Sequence, residues 1–356
     1  MSEFARQNDT EFISFNMEET VGTAKSLTES PSKWFSLPVT AIALADSRGT
    51  GRVARAGIRD GRPGSSGTDR GSMGTTIAFT APLLDCAPAR LPELVKLLCA
   101  CGFESDASAE TYVLKSSTKP LTNFPASPTP LSTDLSPATL TAAYVKRDNG
   151  VKDSVMRRSG CTGSVTITAN AGEPVSLNFA MVGTIPDGDP VKTIGTDYSA
   201  LCVFSNEAKG VRGMMRDVTV TNVRTGTDYG MVNFSTFTLT PGHATPDAVD
   251  PTREYGFGES PVVIGESTFS FTVAETRTNE ELFLADWRNG ETVEFAIVVT
   301  LPTCTYTISI PAAQQNALPT VADAGGYRTI SYSGICTRPL DSDNAPFTLT
   351  ITDTTP

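Results

Sequence analysis

A single histidine, His243, serves a chain of 356 residues, so imidazole chemistry has one candidate base and no second ring to assist it. A Ser-His-Asp or Cys-His pair would have to use that residue, and its setting in the loop Thr240–Pro246 supplies no argument for the role. Zinc needs four ligands, and the CxxC, HExxH and His-x3-His spacings are all missing. Asp341 and Asp343 imitate the start of a calcium loop, but Ala345 stands where the next ligand belongs, and they read as a solvated turn. A Walker phosphate loop is missing too. Gly49-Thr-Gly51-Arg-Val-Ala54 matches a GxGxxA fingerprint, yet the Gly- and Pro-containing residues up to Gly64 cannot form the helix that would hold a pyrophosphate. No catalytic, cofactor-binding or metal-binding residue is expected.

Long apolar runs are also lacking. Nothing approaches the ~18 apolar residues of a membrane helix, and Met1–Asp9 has no apolar stretch behind its charges, so neither a membrane anchor nor a secretory signal is expected. On that reading the chain is made in the cytoplasm, stays soluble, and carries no glycan at the sequons Asn8–Thr10 and Asn233–Ser235. Charged residues make up 19% of the chain, below the ~25% usual, while the hydrophobic fraction of 39% is that of an ordered globular protein. The formal charge of −11 argues against tight, nonspecific binding to a nucleic-acid backbone, because that binding is driven by Lys and Arg. DNA as a passing cargo remains compatible with it. The seven cysteines, at 86, 99, 101, 161, 202, 304 and 336, are odd in number and scattered, and read as buried thiols rather than a disulfide framework. Cys99 and Cys101 are expected on one helix, facing different ways.

What is present is β-structure in abundance. Residues 1–35 are polar and mixed, and the first clear strand is Pro38–Leu44. Leu91, Leu94, Val95 and Leu98 fall at helical spacing, which predicts an amphipathic helix over Leu91–Cys101 closed by Gly102. From Gly163 the period becomes two: Val165, Ile167 and Ala169 share one face, Ala171–Pro174 is the turn, and Leu177, Phe179 and Met181 continue the buried face on the way back. Ile185–Lys209 reads as a linker. Asp217–Val223 and Met231–Thr240 read as a hairpin with a wide turn, and Pro241–Gly258 as loop. Phe269, Phe271 and Val273 alternate in a further strand, Thr278 and Glu281 form a capping box for a helix over Thr278–Asp286, and Thr292–Leu301 is again a strand.

These elements suggest a duplication. Thr75–Thr80, the first helix, Ser164–Thr168 and Val175–Val182 are matched by Ser267–Thr272, the second helix, Tyr306–Ile310 and Tyr327–Tyr332. The expected division is a β domain over 1–204, with a Gly/Arg-rich loop at 46–74 and a Pro-rich loop at 116–140, and a like domain over 205–356. The Gly/Arg-rich loop carries Arg48, Arg52, Arg55, Arg59, Arg62 and Arg70, diluted by Asp46, Asp60 and Asp69. Such a loop on an acidic body suits self-association, so Arg52, Arg55, Arg59 and Arg62 are the candidate inter-subunit contacts.

The run Ser159–Thr184, with its Gly-rich strand, Ala-Gly-Glu-Pro turn and closing Val-Gly-Thr, resembles the hairpin of tailed-phage major tail tube proteins. Leu94–Gly102, with Leu-Leu-Cys-Ala-Cys-Gly, is similar to the helix of that family. Ile308–Gln315 and Pro346–Thr352 are similar to its C-terminal half. The resemblance implies tandem β-sandwich or barrel domains, each with a short flanking helix, whose sheets join between neighbours into a barrel. It also implies a virion tail protein whose rings, trimers with pseudo-sixfold symmetry, stack into a tube that conducts the genome. The implied partners are further copies, the tape measure, tail terminator and distal tail proteins, and DNA in transit. A surface adhesin or carbohydrate-binding β-sandwich module is the alternative, and a β-scaffold hydrolase would need a carboxylate pair in a cleft.

Overall fold

The computed structural model describes residues 11–30, 33–48, 52–54, 68–70, 72–85, 93–108, 111–116, 139–147, 153–194, 198–202, 213–215, 217–231, 234–324, 327–337 and 345–353. Its strands begin with β1 (Glu11–Met17), β2 (Thr40–Arg48), β3 (Arg52–Ala54), β4 (Thr68–Arg70) and β5 (Gly74–Pro82), then helix α1 (Glu93–Ala100). There follow β6 (Phe103–Ser108), β7 (Thr111–Ser116), β8 (Leu140–Lys146), β9 (Ser154–Asn170), β10 (Ser176–Thr184) and β11 (Thr193–Ile194). Next come β12 (Asp217–Asn222), β13 (Asp228–Met231), β14 (Phe234–Thr240), β15 (His243–Ala244), β16 (Val263–Ile264) and β17 (Thr268–Ala274). Helix α2 (Arg277–Asn289) leads to β18 (Thr292–Thr300), β19 (Cys304–Gln315), β20 (Thr320–Ala324), β21 (Tyr327–Cys336) and β22 (Thr348–Asp353).

The chain is mainly β, with large antiparallel sheets. One layer runs β2–β5–β10–β9–β14–β17–β21–β20 and the other β13–β12–β18–β19–β22–β7–β6. They join where Ala313–Gln315 of β19 pair with Gly334–Cys336 of β21. Period-two alternation puts Phe237, Phe269 and Phe271 on the inner side of the first layer, where with Phe234 they meet Phe295 of β18 at ring separations of 5.3 to 6.5 Å. Helix α1 is buried along Glu93–Val95 and Leu97–Ala100 and belongs to the same core. That core draws residues from Ile13 to Ile351, so both expected domain ranges contribute to it, and β9–β14 and β7–β22 pair across the 204/205 boundary.

The first layer contains two four-strand units of the same order. β2–β5–β10–β9 and β14–β17–β21–β20 have the same order, with the helix after the second strand and a hairpin supplying the last two. The counterpart of Ser164–Thr168 is therefore β20, not the expected Tyr306–Ile310, which lies in β19 of the opposite layer. Each first strand carries a bulge near its start, between Thr40 and Ala43 and between Phe234 and Thr236.

Several expectations are corrected. The N-terminal region contains β1, whose Ile13 and Phe15 enter the main core while the opposite face holds Ser14, bonded to Ser36 and to the Leu201 carbonyl, and Asn16, bonded to Glu29. Those polar residues hid a buried strand. The expected linker folds back on β9 through β11, Leu201 and the bidentate Arg157–Asp189 pair at 2.7 Å. β12 pairs with β13 across the turn at Val223–Thr227, and β14 leaves to join β9 and β17, so the wide hairpin does not form. α2 begins at Arg277, which places Thr276 rather than Thr278 at its N-cap, and it runs to Asn289, three residues past the expected end at Asp286. α1 ends at Ala100, so Cys101 lies beyond it, and both Cys99 and Cys101 are fully buried. Cys202 is only half-buried.

Candidate functional surface

Because successive strand residues point to opposite sides, the outer face of the eight-stranded layer is set by the alternate positions that the core does not use. Those positions are Ser, Thr, Ala and Asn almost throughout. A single row crosses Pro82, Ser176, Thr168, Thr238, Ser270 and Ser333, each directly opposite the next. Neighbouring rows read Ala43, Ala78, Ala180 and Ser164, and Asn170, Thr236, Thr272, Ser331 and Thr320. All these side chains are exposed or half-exposed. Some bond laterally: Thr80 donates to Asn178 at 2.7 Å, Asn178 to Thr168 at 3.2 Å, and Thr272 and Ser331 are 2.9 Å apart.

Among the described side chains in these rows none is charged, in a chain that is 19% charged and whose charges belong on its surface. Threonine richness alone does not account for this. The outer face of the other layer reads Thr219, Ala296, Ser309, Thr348 and then Lys115, with exposed Glu294 opposite Thr221.

Several ionisable groups elsewhere among the described residues are engaged by fixed partners. Arg158 is fully buried, reaching Asp46 at 2.8 Å, Thr75, and the carbonyls of Arg157 and Val191. Asp46 thus closes an ion pair with β9 instead of diluting the Arg-rich loop. Glu18 accepts from Gly22 N, Gly160 N and the hydroxyls of Thr139 and Thr141, and burial holds its carboxyl above the usual range. His243 is no loop base: it sits in β15, buried, with Nδ1 against the Cys101 carbonyl and its ring edge-on to Phe103, and burial lowers its pKa. Asp286 accepts from Tyr229 and Asn222, tying α2 to the β12–β13 hairpin, and burial raises its pKa.

Neither a known protein family nor a curated protein matches this chain. Among the described residues no group of three or more His, Cys, Asp and Glu is placed to hold a metal ion, and no helix is long and apolar enough to cross a membrane.

Of the candidate contact residues, Arg52 lies in β3, whose three residues pair with β4 so that Arg52 stands opposite Arg70. Arg55, Arg59 and Arg62 lie outside the described residues, as do the Gly49–Gly51 fingerprint start, the Asp341–Asp343 turn and the Pro-rich stretch 117–138. The uncharged face went unread in the sequence although its signal was present, since Ser164, Thr166 and Thr168 already alternate with buried residues. What a linear reading lacks is the strand order that lays such triplets side by side.

Proposed function

We propose that the chain is a structural subunit that assembles edge to edge into rings, and that stacked rings form a tube through which DNA passes along the Ser/Thr face. The observation that carries this reading is the eight-stranded layer, made of two like four-strand units and open on one uncharged face. Curling that layer around an axis puts the second layer and α1 outside and the Ser/Thr face inside. With strands about 4.8 Å apart and tilted about 40°, three such layers close at a backbone diameter of roughly 50 Å, wider than a DNA duplex with side chains included.

An uncharged wall lets phosphates slide, since no Lys or Arg is there to exchange for counterions. On this reading the wall is neutral and the net charge of −11 resides elsewhere. The tail-tube resemblance of Ser159–Thr184 points the same way, and with it a place in the virion tail beside tape measure, terminator and distal tail proteins. Negative-stain microscopy of the purified protein tests this: rings or tubes with an open bore are expected, and a monodisperse monomer at high concentration would overturn it.

A further inference from the structure

The two edges of the eight-stranded layer are β2 and β20, each paired on one side only among the described residues. The pairing registers make their residues comparable with an interior seam. Taking Thr75–Thr80 as equivalent to Ser267–Thr272, Asn178 opposite Thr80 matches Ser331 opposite Thr272. Thr166 opposite Asn178 then matches Thr320 opposite Ser331, so Ile167 corresponds to Val321 and Thr168 to Ala322. On the other side Leu44 opposite Ile77 matches Leu239 opposite Phe269, and Ala43 opposite Ala78 matches Thr238 opposite Ser270. Within the chain the two units meet at β9–β14, where Ile167 faces Leu239 and Thr168 faces Thr238.

We infer that β20 of one copy pairs with β2 of the next in the register of β9–β14, placing Val321 opposite Leu44 and Ala322 opposite Ala43. This rests on the ring reading and names its joint. Three further features support it. Val321 is 51% exposed at the edge whereas its counterpart Ile167 is 1% exposed, so the joint would cover an apolar side chain the lone subunit leaves in water. Eight antiparallel strands end with β20 running opposite to β2, so a ring rotation presents the next β2 antiparallel to β20, as β14 is to β9. And Ala43, Ala45, Thr320 and Ala322 are small and uncharged, so the Ser/Thr face continues across the joint.

The test uses the full chain with Cys86→Ser and Cys202→Ser. Leu44→Cys combined with Val321→Cys should crosslink under mild oxidation into a closed covalent ring that migrates as a trimer, because directly opposed residues lie within disulfide reach. Either single variant should stay uncrosslinked. Val321→Lys, at an exposed position, should retain the circular dichroism and melting behaviour of the parent yet lose assembly, seen as a monomer by sedimentation. If tubes form but the double variant stays uncrosslinked, or Val321→Lys assembles like the parent, the β20–β2 joint is wrong and the tube reading survives. If the parent never assembles, both fail.

Discussion

Glu18 shows how much one side chain can fix. Each of its oxygens receives one backbone N–H and one hydroxyl, Gly22 and Thr139 on one, Gly160 and Thr141 on the other. In Glu18→Gln the amide NH₂ meets a backbone N–H in either orientation, so a loss of about 1–3 kcal/mol is expected in urea unfolding. The pH dependence has a definite sign. A carboxyl held above its ordinary value by burial binds its proton more tightly in the native state. The stability linked to it is therefore complete below the unfolded value and declines as pH rises through the folded value. Glu18→Gln should flatten that decline, which unfolding curves between acid and neutral pH would reveal. Arg158 is the reciprocal case: Arg158→Met leaves Asp46 facing Thr75 alone, and a loss of about 3–5 kcal/mol is expected by thermal or urea melting. Ala41 is held at φ 55° in the bulge of β2, so Ala41→Gly should cost nothing and stabilise by up to about 1 kcal/mol.

At the scale of elements, α2 lies on the sandwich with Phe283 as its one fully buried apolar side chain among those described, packed on Phe271, Tyr229 and Tyr332. Phe283→Ala should cost about 3–5 kcal/mol and raise amide exchange in α2 ahead of the sheet, measurable by hydrogen–deuterium exchange. The helix itself was legible from the Thr and Glu spacing of a capping box, although its start was misread by two residues; both Thr276 and Thr278 are competent caps. The hairpin β9–β10 was legible for the same reason, alternation plus an Ala-Gly-Glu-Pro turn. Less legible was the N-terminal half of β9. There the registers with β8 and β10 shift around Ser159–Cys161, Gly160 adopts φ 59°, and its freed amide is taken by Glu18, a residue 142 positions away. Alternation fails at such a bend, and no local pattern names the distant acceptor.

For the molecule as a whole, the uncharged face leads to a direct expectation. Thr166→Lys, Thr238→Lys and Ser270→Lys together should leave folding and assembly intact, because all three side chains face outward, but should give the assembled particles salt-dependent retention of duplex DNA where the parent has none. Gel shift at two ionic strengths would read it. The β-class could be read from strand patterns, whereas the pairing order could not: Tyr306–Ile310 alternates as clearly as any strand, yet it lies in β19 of the other layer and β20 stands at the end of the first.

The seam at β9–β14 also bears on kinetics. Two like units joined in one chain meet at an effective concentration set by their tether, so their mutual docking is unimolecular and independent of how much protein is present. In the proposed ring, six such units would come together as three bodies instead of six, so two losses of translational freedom replace five and the third seam closes within the assembled ring. The initial rate of light scattering should accordingly rise with no more than about the third power of subunit concentration, so assembly would remain fast in dilute solution, where six separate units would stall.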